Sequence, residues 1–159
     1  MRADLRLFDF LKRREKFRSH MYDNDGAGNT TIGWGYLVHA GGIGTDPAAE
    51  APYKSGITEG KAEQLLRDDV GKAEGDVNKR IHVPLTQNMF DALTSLMFNL
   101  GAHGFDRAKM SHLLKEGDYL GAARDFLHLN HVHTRNGRVE VSRGLTNRRR
   151  DEEQLFLSR

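Results

Sequence analysis

Glu15-Lys16-Phe17-Arg18-Ser19-His20-Met21-Tyr22-Asp23-Asn24-Asp25-Gly26-Ala27-Gly28-Asn29-Thr30-Thr31-Ile32-Gly33-Trp34-Gly35 is the stretch around which the chain is organised. A carboxylate closes a helical pattern, a glycine-containing loop with further carboxylates follows, and a β-type run then sets a tryptophan between two glycines. Upstream, Leu5, Phe8, Leu11 and Phe17 recur at near-helical spacing, widened by Leu7 and Phe10, which predicts an amphipathic helix over residues 4–16 with Asp4 as its cap. Glu15 falls in its last turn or just after it. A glutamate there opposes the helix dipole, a local misfit that points to function rather than stability.

Working outward, residues 39–57 carry Gly41, Gly42, Gly44, Pro47, Pro52 and Gly56, and read as a long irregular segment of the kind that forms functional rims. Thr58 then caps a long helix whose face is traced by Ala62, Leu65, Leu66, Val70, Ala73, Val77 and Ile81. Thr86 opens the strongest helical signal, with Met89, Phe90, Leu93, Leu96, Met97 and Leu100 apolar and Gly101 as its end. Shorter helices are expected near Ala108–Leu114 and Asp118–Phe126. Residues 130–143 read as polar and irregular, and a final helix is expected from about Leu145 to Leu157. The sum is an α+β fold, mostly helical with a small antiparallel sheet near the N-terminus.

The 159 residues, 38% hydrophobic and 29% charged, fit one domain with a real core. No apolar run approaches the roughly 20 residues of a membrane span, and no signal-peptide core is present, so action outside the cytoplasm requires delivery by another machine. The absence of cysteine excludes disulfides and cysteine-ligated metals. Net charge is only +2, but Arg143, Arg148, Arg149 and Arg150 crowd the C-terminal end. They form either a basic patch for an anionic partner or a solvated helix face. No nucleic-acid motif accompanies them, and no nucleic-acid partner is expected. His131 and His133 have ligand spacing without an evident third ligand and read as exposed loop histidines.

The opening stretch has the parts for glycosidic hydrolysis, which needs a protonated acid beside the leaving oxygen and a second carboxylate. A carboxyl near apolar Phe17 and Met21 keeps its proton more readily than one in a solvated glycine loop, which assigns Glu15 and Asp25 different roles. Thr31, opening the next strand, has a hydroxyl for the attacking water. The competing reading makes Glu15 an ion-paired surface residue among Arg13, Arg14 and Lys16. It makes Asp23-Asn24-Asp25 a turn or a calcium loop, although the terminal glutamate of such a loop is missing. Trp34 is either a sugar-stacking ring or a core residue under the sheet. Asn99 and Gln87 either line a substrate groove or cap helices.

Three ordered motifs resemble the phage-type lysozymes, or endolysins, of glycoside hydrolase family 24. They are Glu15, Tyr22, Asp25, Gly28 and Thr31-Ile32-Gly33-Trp34-Gly35; then Leu85-Thr86-Gln87-Asn88-Met89-Phe90-Asp91-Ala92-Leu93 with Phe98-Asn99-Leu100-Gly101; then Gly144-Leu145 with Arg148-Arg149-Arg150 and Glu152-Glu153. The resemblance implies a metal-free and cofactor-free muramidase that hydrolyses the β-1,4 bond between N-acetylmuramic acid and N-acetylglucosamine. Glu15 would be the general acid, Asp25 the second carboxylate, Thr31 the water-positioning residue and Arg148 a support for Glu15, with Trp34, Tyr36 and Asn99 on the substrate side. It implies one lysozyme-like domain over 1–159. A sheet lobe (about 18–57) would be joined by the long helix to a helical lobe (about 58–159 plus the first helix), with a substrate cleft between them.

The sequence departs from the family at Lys16, where glycine is usual, and at Tyr36, where histidine is usual. Its loop is one residue longer, so counting back from Thr31 gives Asp25, with Asp23 in reserve. The implied partner is peptidoglycan, met by a monomer in the periplasm or wall after delivery by a holin or a secretion system. A secreted toxin domain would add an immunity protein. A wall-binding module without catalysis is the alternative.

Overall fold

The structure is a computed structural model that describes residues 1–23, 28–133 and 138–158. Asp25 therefore lies outside the described residues. The chain forms two compact units, 5–69 and 70–159, the latter with residues 1–4, and the division falls inside one helix.

The first unit opens with α1 (Leu5–Arg14). Its buried residues are Leu7 and Leu11, an i,i+4 pair, while Leu5 is two-thirds exposed. The buried stripe is thus rotated from the one expected, because Leu5 sits in the first turn. This helix falls with the sheet and not, as the sequence suggested, with the later helices. Next come β1 (Arg18–Asp23), β2 (Asn29–Gly33) and β3 (Tyr36–Ala40), an antiparallel sheet in that order. Tyr22 faces Thr31 and Asp23 faces Thr30 across β1–β2. The β2–β3 register slips between Thr30 and Thr31. Such an irregularity breaks the in-out alternation, and Thr30, Thr31 and Ile32 are all buried in succession.

The segment expected to be irregular holds α2 (Pro47–Glu50) and a 3-10 turn, Ala51–Tyr53. Asp46 caps α2 by accepting from the Ala49 N–H at 3.1 Å, with Pro47 at the first helical position, where its missing N–H costs nothing. The long helix α3 (Glu59–Arg80) begins after Thr58, whose hydroxyl accepts from the Lys61 N–H at 3.2 Å. All seven apolar positions read from its sequence are buried, and Gly71 and Gly75 leave it unbroken.

In the second unit, α4 (Gln87–Asp106) is capped by Thr86, and Gly101 interrupts it at φ 67°. The expected end at Gly101 is therefore a kink, after which one more turn follows. Then come α5 (Met110–Lys115), α6 (Tyr119–Phe126) and α7 (Arg143–Leu157), which starts two residues earlier than expected because Ser142 caps it. Phe90, Leu93, Leu96, Phe105, Phe126 and Phe156 are among the large side chains of this core. Residues 130–143 are not wholly irregular: β4 (His131–His133) pairs with β5 (Val139–Val141).

The arginine cluster is likewise not one solvated face. Arg148 and Arg149 are buried with Glu152, while Arg143 and Arg150 are exposed. No helix among the described residues is long and apolar enough to cross a membrane.

Candidate active site

Glu15 sits one residue past α1, its N–H still bonded to the Leu11 carbonyl at 2.8 Å, so the last helical turn fixes its backbone. Its half-buried side chain lies against Gly35, in the turn between β2 and β3. A Cβ at Gly35 would stand 3.3 Å from Glu15 Oε2 and 3.5 Å from its carboxyl carbon. Gly35 also has φ +83°, a conformation that costs an L side chain about 1–2 kcal/mol. Two independent reasons thus require glycine there: the backbone's hand and the acid's approach.

The neighbouring turn residues support that floor. Gly33, at φ +67°, packs on Ala62 and Ile57, each within 3.3 Å of where its Cβ would be. Trp34 is only 8% exposed. Its ring centroid lies 5.2 Å from that of Phe17, and Lys12 Nζ sits 4.7 Å over it. Lys12 in turn bonds Glu63 of α3 at 2.5 Å. Trp34 therefore takes the core position of the two roles left open by the sequence, holding the glycine turn from beneath.

Thr31 is 4% exposed, and its hydroxyl donates to the Asn29 carbonyl at 3.3 Å. That bond consumes the hydroxyl proton and leaves oxygen lone pairs to accept from a water. Asp23, the reserve carboxylate, is engaged differently. Its Oδ1 accepts from the Gly28 N–H at 3.1 Å, tying together the two ends of the loop that contains Asp25. Thr30 is fully buried and donates to the Gly41 carbonyl at 2.9 Å, and Gly41 N–H bonds the Gly28 carbonyl.

Sequence reasoning named Tyr36 but missed Tyr53, His39 and Glu50, which pack or bond beside it along the same segment. Tyr36 is half-buried, with its ring 5.9 Å from that of Tyr53. Burial first, then hydrogen bonding to Tyr36, then the negative charge of Asp69, push the Tyr53 hydroxyl up to about 12. His39 Nε2 bonds the buried Glu50 carboxylate at 2.9 Å, and the same oxygen accepts from Gly44 N–H at 2.6 Å. His39 Nδ1 lies 3.0 Å from the Ala40 carbonyl. The Ala40 carbonyl and then Glu50 raise the imidazole above 6.5, while His39 and then Gly44 hold Glu50 below the usual carboxylate range. The signal for this hook was present as His39, Glu50 and Tyr53 in the glycine-rich segment, but nothing in the sequence pairs them.

The remaining expected residues belong to the second unit. Arg148 Nε donates to Glu152 at 3.1 Å, and Ser95 donates to the same carboxylate oxygen at 2.6 Å. Arg149, fully buried, donates to Glu152, to the Asn99 side-chain oxygen and to the Leu129 carbonyl. The carbonyl end of Asn99 is thus committed to Arg149.

Comparison with known proteins places the chain in a family. The phage lysozyme family matches residues 12–152. An endolysin of Acyrthosiphon pisum secondary endosymbiont phage 1 is 36% identical over 148 residues, 93% of this chain and 92% of the endolysin. Among solved structures, an endolysin from Escherichia coli O157:H7 phage FAHEc1 superposes with a TM-score of 0.83 at 31% identity, covering 99% of this chain and 94% of that one. The muramidase domain of SpmX from Asticaccaulis excentricus gives a TM-score of 0.81 at 28% identity, covering 99% of both chains.

Proposed function

Since the chain belongs to the phage lysozyme family, we propose that it hydrolyses the β-1,4 bond between N-acetylmuramic acid and N-acetylglucosamine. The family makes it a peptidoglycan-cleaving hydrolase; the bond and the residue roles are our reading. Glu15 protonates the glycosidic oxygen as the bond breaks. Asp25 is the ionised carboxylate that stabilises the positively charged sugar or activates water, and Thr31 accepts a hydrogen bond from that water. Tyr36 and the amide end of Asn99 are groups for the glycan.

The observation that carries this reading is the seat of Glu15. Its carboxyl group rests on a glycine that no other residue can replace without moving it. Placement of an acid is what general catalysis demands first. The bond between Asp23 and Gly28 favours Asp25 over Asp23 as the second carboxylate, because Asp23 already serves the loop. Relatives matched along almost their whole length are endolysins, which favours release to the wall at host lysis over a toxin domain with an immunity partner.

Glu15→Gln tests the proposal. It should lower clearing of a purified wall suspension by about 10²–10⁴-fold, the usual worth of a positioned acid, while wall pull-down persists. Mass spectrometry of wild-type products should find new reducing ends on muramic acid. Freed amino groups would replace the muramidase with a peptidase or amidase, and binding without any cleavage would leave a wall-binding module.

A further inference from the structure

We infer that Arg18 is a specificity residue that binds a carboxylate of the peptide stems carried by the glycan. The inference rests on the proposed muramidase reading and deepens it, because it names a charged part of the substrate that the site selects.

An irregular strand seats this cation. Arg18 follows Glu15 by three residues and opens β1. It pairs with Gly33 of β2, and Tyr22 pairs with Thr31, but the register slips between the two pairs. Four residues of even strand would carry Tyr22 about 13 Å beyond Arg18. Opposite them β2 advances only two residues, about 7 Å. The slip takes the surplus of β1 out of the ladder and halves the gap. The Arg18 guanidinium carbon accordingly lies over the Tyr22 ring, 5.5 Å from its centroid. Re-aiming a side chain is a common use of such irregularities beside functional sites.

Tyr22 stands directly across from Thr31, and paired residues of an antiparallel sheet project from one face with Cβ atoms about 5 Å apart. Arg18 is therefore stacked on the neighbour of the threonine proposed to hold the attacking water. It is exposed, and it makes no ion pair among the described residues. Asp23, the acid on the same strand, alternates to the other face, and its Oδ1 accepts from the Gly28 N–H. Lys12, which also stacks on a ring of this unit, is by contrast bonded to Glu63. A guanidinium with one face on an aromatic ring keeps its edge of N–H donors for a planar acceptor such as a carboxylate. The repeating disaccharide of peptidoglycan is uncharged, whereas its peptide stems bear carboxylates. The competing account, in which ring and cation only stiffen β1, predicts that removing the cation alters turnover of charged and neutral strands alike.

The test uses uncrosslinked glycan strands with acetylated stem amines, before and after the stem carboxylates are converted to methylamides, with new muramic-acid reducing ends as the readout. Wild type should favour the acidic strands in kcat/KM by about threefold to tenfold, the worth of a hydrogen bond between charged groups discounted for an exposed site. The preference should lie mostly in KM and shrink as salt is raised. Arg18→Gln should turn over both kinds of strand alike, within about twofold of the wild-type rate on the neutral ones. Tyr22→Leu should also lower the preference, because it leaves the charge but removes the ring that holds it. The inference is overturned if wild type has no preference, if Arg18→Gln keeps it, or if that variant loses the same factor on both strands. A wild type that makes no muramic-acid reducing ends would sink the muramidase reading. Calorimetric binding of the acidic and neutral strands to the same proteins would still decide the role of Arg18.

Discussion

Replacing Gly35 by alanine should injure catalysis more than stability, and the structure gives both magnitudes. The added methyl would lie 3.3, 3.5 and 3.7 Å from Glu15 Oε2, Cδ and Cγ. Those contacts force the carboxylate to give by a few tenths of an ångström or the turn to open. The backbone at φ +83° adds about 1–2 kcal/mol of strain, which lowers the thermal midpoint by about 2–8 °C in a chain of this size. A displacement approaching 1 Å at a reacting group costs about 10²-fold, so a smaller one should reduce kcat by about tenfold or more, with KM nearly unchanged. Gly117→Ala supplies the control: φ there is +80° and nothing lies within 4 Å of the new methyl, so it carries the strain without the contact. The assay is turnover of purified peptidoglycan beside a thermal melt for each variant. Two equal drops in midpoint with kcat intact in both would refute the argument that Gly35 sets the place of the acid.

Arg149→Ala should destabilise by about 3–5 kcal/mol, because it leaves the fully buried Glu152 without its main charge partner; chemical denaturation measures it. Leu11→Ala should cost about 2–5 kcal/mol and Leu5→Ala no more than about 0.5, which checks the rotated stripe of α1 by the same method. His39, raised above 6.5, contributes stability that is complete below 6.5 and is lost as pH rises through its folded value. Glu50, lowered below 4.5, contributes above 4.5 and loses its share as pH falls. The difference in melting temperature between wild type and His39→Gln should therefore peak between those two values, and a flat difference would contradict the pairing. Asp23→Asn keeps an oxygen for the Gly28 N–H and should retain most activity, whereas Asp25→Asn should abolish it; equal losses in wall clearing would reverse the assignment.

The long apolar periods were legible because helices α3 and α4 repeat one face over many turns, and periodicity averages out local noise. The place of Glu15 just past α1 was legible as well, since a carboxylate closing a helical pattern is a local signal, but its approach to Gly35 was not. What failed was short or buried. The strands β4 and β5 have three residues each, too few for alternation to stand out, although Val139-Glu140-Val141 alternates. Ser142 N–H bonds the Asn130 carbonyl and closes that hairpin from its ends, a contact that a linear reading does not reveal. Arg148 and Arg149 looked like surface charge because composition cannot report that Glu152, one helical turn on, is buried with them.

The glycine-rich segment 41–56 shows how a misread connection can still matter to the site. Lacking a pattern, it reads as a rim, but its physical role is to anchor. The Glu50 carboxylate gathers His39 and Gly44, so the hook closes on a buried charge. Gly41 then bonds back to Gly28 and Thr30, which flank the start of β2. Gly28 is also where Asp23 makes its tie. Gly28, three residues beyond Asp25, is thus held by two independent ties, one from β1 and one from the hook. Glycine leaves a backbone many states to occupy. Fixing one end of a glycine-containing segment reduces that freedom.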